Sequence, residues 1–177
     1  MSRIPYQPQD LAEPKAVVDA IRARRGGHLL NLDRMLLHSP ALARGWNAYL
    51  GEVRTGLAVS PRLREIAMCV VAMLNGAEYE FIHHAPELIK AGGTEQQVQA
   101  LRDPLSAAGR ADLFEAADLA TIRVTNEMTR NVQVSDASFD ALRAALGNEQ
   151  QVVELVAVIA TYNMVSRFLV ALGVEPE

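Results

Sequence analysis

Apolar residues recur along this chain every three or four positions, and no stretch alternates them convincingly with polar ones, so the pattern predicts helices throughout. Turn residues punctuate them. The first helix is expected from about Pro14 to Arg25, stopped by Gly26-Gly27, and a second from about His28 to Leu37. Ser39-Pro40 supplies an N-cap followed by proline at the first helical position, which starts a third helix reaching about Thr55. Ser60-Pro61 repeats that signal ahead of a fourth. Between Ile66 and Leu74 this fourth helix has no polar residue on any face, the mark of a helix buried all round. Gly76 stops it, and a fifth is expected from Ala77 to about Ala91, kinked or restarted at Pro86 and ended by Gly92-Gly93. Thr94 with Gln97 three residues on forms a capping box. Further helices are expected from about Asp112 to Asn131, from Ser135 or Asp136 to Leu146, and from Gln150 to Leu172.

The fold class is therefore all-α, with six to eight helices. Residues 1–177 read as one domain, with 1–13 as an extended N-terminal arm. The string EQQV opens a helix at Glu95 and again at Glu149, and VVAMLN from Val70 is loosely echoed by VIATYN from Val158, compatible with a duplicated hairpin.

Composition narrows the function. Half the residues are hydrophobic, enough for a sizeable core. No uninterrupted apolar run approaches the roughly 20 residues of a membrane helix, and MSRIPYQPQD lacks the apolar core of a signal peptide, so no membrane partner and a cytoplasmic location are expected. A net charge of -4 with both signs interspersed gives no footprint for nucleic acid. The one basic cluster, Arg22, Arg24 and Arg25, reads as a solvated helix end. Cys69 is the only cysteine, which excludes an internal disulfide or dithiol cycle, and its apolar neighbours read as those of a buried, inert thiol.

The candidate chemistry lies in PRLREIAMCVVAMLNGAEYEFIHH. Glu80 and His84 are four apart and share a helix face, and Glu65 on the preceding helix lines up with the small residues Cys69, Ala72 and Gly76. Folded together at Gly76, the three would form a proton relay, since a carboxylate beside an imidazole orients it and favours its charged form. A solvated Glu/His pair is the bland alternative, and His83 with Glu87 is read as such. Glu65, Glu80 and His84 could also supply metal donors, but no second patterned helix brings the further ligands a helical metal site uses. No Gly-rich phosphate loop or serine nucleophile elbow is present.

Arg64-Glu65 opening a buried helix, Tyr79-Glu80-Phe81-Ile82-His83-His84, and a Gly-bearing turn after them resemble the carboxymuconolactone decarboxylase and alkylhydroperoxidase D superfamily, from Leu30 to Gly173. The resemblance implies an alkylhydroperoxidase D-like helical bundle that assembles as a homo-oligomer, trimer or hexamer before dimer, with its site close to a subunit interface. The superfamily's peroxidase branch uses a Cys-x-x-Cys pair, and this chain has Ala77 and Glu80 at those positions, so it resembles the branch without the pair. That branch implies a lyase without cofactor or metal, acting on a small carboxylated, lactone or aromatic-derived substrate. His84 would be the proton donor, Glu80 its orienting partner and Glu65 a relay or base; Tyr79 would line the pocket, and Arg64 would be either structural or a cation for an anionic substrate. Two alternatives stay open: an antioxidant enzyme using Cys69 or an external thiol, and a non-catalytic oligomeric member. Tyr162, Asn163 and Arg167 in the last helix are read as an interhelical polar network.

Overall fold

The computed structural model describes all 177 residues, in ten helices and no strand. Two compact units divide the chain, one of residues 1–56 with 171–177 and one of residues 57–170.

The first unit holds α1 (Lys15–Arg24), α2 (Asn31–Leu36) and α3 (Pro40–Thr55), with α3 packed against the other two. Val18, Ile21, Leu32, Leu36, Ala43 and Leu50 form its core. The arm is tied down at both ends: Arg3 N donates to Leu172 O, and the amide of Glu175 donates to the Tyr6 hydroxyl. Arg24 and Arg25 are not a solvated helix end. Both converge on Asp33, which is 1% exposed, at 3.6 and 3.1 Å, because a buried carboxylate is tolerable only when paired.

The second unit is built around α4 (Pro61–Leu74), which packs against α5 (Glu78–Lys90) on one side and α8 (Ala116–Asn131) on another. Its stretch from Ile66 to Ala72 is buried without interruption, as its all-round apolar sequence requires. The α4–α5 turn is a Schellman closure: the amide of Ala77 donates to Ala72 O at 2.8 Å, that of Gly76 to Met73 O at 3.3 Å, and Gly76 takes φ +66. Short helices α6 (Glu95–Ala100) and α7 (Pro104–Ala107) cross to α8, α9 (Asp136–Leu146) folds back on it, and α10 (Glu149–Leu172) completes the unit.

Arg62 ties three helix ends together. Its Nε and Nη2 donate to the two oxygens of Asp118 at the start of α8, at 3.1 and 2.7 Å, and Nη1 donates to Gly92 O just past α5. Asp118 is 2% exposed, and the two-pronged geometry is the strong form of the pair.

Several boundaries differ from expectation. α5 runs unbroken through Pro86; Ile82, whose carbonyl loses its helical donor there, is 44% exposed. Both residues line an open groove of about 500 Å³ where water can serve that carbonyl. Ser39 and Ser60 sit at N-caps without a side-chain bond, whereas Thr94 and Ser135 make theirs. α7 was not expected, and α8 starts at Ala116 rather than near Asp112, which pairs with Arg110 in the preceding loop. α10 is, by length and composition alone, apolar enough to cross a membrane; half of its most apolar stretch is buried inside the protein.

Val132 ends α8 at φ +66, a conformation β-branched residues rarely adopt, and it is 82% exposed. Val132→Gly should raise stability by about 1 kcal/mol, read as a higher urea midpoint at unchanged slope.

Candidate functional site

Glu65 and His84 come from facing turns of the α4–α5 hairpin. Glu65 lies in the second turn of α4 and His84 in the middle of α5, so closure at Gly76 brings residues 19 apart in sequence into contact. His84 Nδ1 donates to Glu65 Oε2 at 2.7 Å. Both side chains are mostly buried, 9% and 15% exposed, so the pair is a charge-assisted interior bond rather than a surface ornament. The sequence expectation named Glu80 as the orienting partner and Glu65 as a relay or base; the bond to Nδ1 comes from Glu65.

Glu80 stands one turn before His84 on the same helix and is 2% exposed. Cys69 reports on both carboxylates. Its thiol is fully buried and pushed far up, first by loss of solvent and then by the negative charges of Glu65 and Glu80. The two carboxylates thus flank one interior region, with the thiol beside them. Burial of two acids there costs several kcal/mol unless a proton or a partner is shared.

A third element, α10, reaches the site. The Tyr162 ring meets the His84 ring edge to face, with centroids 4.9 Å apart and planes at 87°. Next to it, Asn163 centres a polar knot: Nδ2 donates to Thr129 Oγ1 at 2.9 Å and to Ile159 O at 3.0 Å, and Oδ1 accepts from Asn75 Nδ2 at 3.1 Å and Arg167 Nη1 at 2.7 Å. Asn75 also donates to Ser166 Oγ at 2.7 Å. The sequence reading assigned Tyr162 to that network, and its contact with His84 was not anticipated. Only the four-residue register of a buried tyrosine beside an asparagine in an apolar helix hinted at it.

Two further residues were named with the site. Arg64 is 7% exposed and its Nη1 donates to Leu57 O and Val59 O, fastening the loop ahead of α4. Tyr79 is buried and stacks on His83 at 4.3 Å. His83 donates from Nδ1 to the Tyr79 carbonyl, and Glu87 pairs with Lys90 at 2.6 Å. No three His, Cys, Asp or Glu side chains are grouped as a metal site.

The arrangement can hold and pass a proton. It is ill suited to thiolate chemistry, because Cys69 is kept protonated. Native protein at pH 8 should therefore resist a disulfide thiol reagent, and guanidinium-unfolded protein should react fully at one thiol per chain, followed by absorbance.

Residues 40–123, which include Glu65, Glu80 and His84, match the sequence profile of the Carboxymuconolactone decarboxylase family. None of the curated proteins matches the chain in sequence. Among solved structures it is similar to an alkylhydroperoxidase AhpD core, an uncharacterized peroxidase-related protein from Ralstonia eutropha JMP134, at 19% identity, TM-score 0.82, covering 99% of this chain and 92% of that one. It is similar to an uncharacterized peroxidase-related protein from Silicibacter sp. TM1040 at 18% identity and TM-score 0.80, covering 99% and 90%. A cysteine-to-alanine variant of the debrominase Bmp8, in complex with 2,3,4-tribromopyrrole, is similar at 17% identity and TM-score 0.80, covering 100% and 94%. At these identities the likeness concerns the fold.

Proposed function

We propose, on the premise that this chain belongs to the carboxymuconolactone decarboxylase and alkylhydroperoxidase D superfamily, that it is a cofactor-free acid/base lyase acting on a small carboxylated metabolite. The single observation that carries this reading is the buried 2.7 Å bond between His84 Nδ1 and Glu65, in a site where Ala77 and Glu80 occupy the cysteine positions.

In decarboxylation of a carboxylactone, the bond to the departing carboxylate breaks and its electron pair flows into a conjugated carbonyl. The resulting enolate then takes a proton at carbon. With Nδ1 engaged by Glu65, Nε2 of His84 is the ring atom that would deliver this proton, and Glu65 stabilises the imidazolium that donates it. Glu80, buried one turn before His84 on the same helix, would complete the relay. Arg64 gives Nη1 to the loop carbonyls, while its buried Nε has no hydrogen-bond partner, so whether this arginine is structural or substrate-binding is decided by testing Arg64→Lys.

Metal-free protein should release carbon dioxide from γ-carboxymuconolactone. His84→Ala and Glu65→Gln should each lose about 10²–10⁴-fold in kcat while keeping the far-ultraviolet spectrum. Absence of release by the wild type would remove the carboxymuconolactone assignment.

We further propose a homo-oligomer, trimer or hexamer, with a cytoplasmic location. Val153 and Met164 expose apolar side chains on one face of α10, the kind of surface a second copy covers. Light scattering should give a mass of three or six chains, and Met164→Glu should lower it.

A further inference from the structure

The His84 imidazole is gripped from two directions. Glu65 takes Nδ1 from α4, and Tyr162 closes on the ring from α10. A hydrogen bond fixes one ring atom but leaves the imidazole able to pivot about that contact or to change rotamer. A second, face-directed contact removes the remaining freedom. We propose that Tyr162 is a positioning residue, set in register by the Asn75–Asn163 knot, which holds the His84 ring on Glu65 and fixes its tautomer.

Three observations converge on this. Tyr162 is completely buried, so its ring cannot swing away without opening the core. Asn163, the next residue, is anchored to α8 through Thr129 and to the α4–α5 turn through Asn75, which fixes both the rotation and the height of α10 where Tyr162 projects. Asn75 caps α4 beside the Gly76 closure that brings Glu65 to His84. One knot thus sets the spacing of all three elements that touch the ring. Its neutral bonds are individually modest for stability but sufficient to decide between two rotamers.

Titratable groups in the pocket are Glu65 and Cys69 on α4, Glu80 on α5, and Tyr162 itself. A positioning role for Tyr162 acts through the ring it touches and requires no proton transfer of its own. Calling it a positioning residue presupposes that His84 is the acid proposed above; its effect on the ring does not.

The test is long-range proton–nitrogen NMR of the full chain labelled at histidine nitrogen, which has four histidines and so a simple spectrum. At a pH where His84 is neutral, the wild type should show the Nδ1–H tautomer alone, because Glu65 selects it. Tyr162→Phe, which keeps the ring, should preserve that state. Tyr162→Met, similar in volume but without the ring, should let the Nε2–H form rise to about a third or more. Asn163→Ala, which keeps the tyrosine but frees its register, should move the tautomer in the same direction. Leu142→Ala opens a cavity in α9 away from the pocket and should leave His84 unchanged. A wild-type tautomer in Tyr162→Met overturns the proposal, as does an equal change in Leu142→Ala, which would reduce Tyr162 to general packing. Should Tyr162→Met fail to fold, a wild-type tautomer in Asn163→Ala overturns it instead. Lack of turnover on carboxylactones would sink the lyase reading and leave this ring measurement standing.

Discussion

The α4–α5 turn is the constraint on which the site depends. Two acids and an imidazole can share an apolar interior only if the helices carrying them are held at one register, and that register is set by a closure three residues long. Gly76 adopts the left-handed backbone conformation that lets the Ala77 amide reach back to Ala72, and any longer loop would leave Glu65 and His84 at different heights. The asparagine just before it is then used a second time, as the hydrogen-bonding partner of α10.

Much of this was legible in the sequence, for reasons that can be named. The all-round apolar run in α4 permits only a buried helix, and the Ser-Pro and Gly-Gly pairs bracket helices by backbone stereochemistry alone. Pro86 does not restart the helix, which runs on through it beside an exposed Ile82. Arg24 and Arg25 misled because their partner, Asp33, sits in the next helix, and nothing local marks an arginine as paired across a turn.

At the site, periodicity puts Glu80 and His84 on one face, and the small residues below Glu65 suggest an interior direction. It cannot rank the two acids as partners of the imidazole. That choice depends on side-chain reach across the hairpin, where Glu65 makes the bond. The loose echo between VVAMLN and VIATYN acquires a physical meaning, since the two closing residues of the echo, Asn75 and Asn163, are bonded to each other. With both cysteine positions vacant, an acid occupies one of them and shares the interior with Glu65.

The Arg62 fork has a kinetic consequence. It joins the start of α4, the end of α5 and the start of α8, three termini that would otherwise fray independently. Bound to one guanidinium, they must open as a single cooperative unit, so their amides should share one slow exchange rate with solvent deuterium. The far end of α8 is held by other means, Thr129 to Asn163 of α10 and Glu127 to Ser135 and Ser138 at the start of α9. The two ends of α8 are thus fastened to different neighbours, a single guanidinium at one and a set of neutral side chains and a carboxylate at the other.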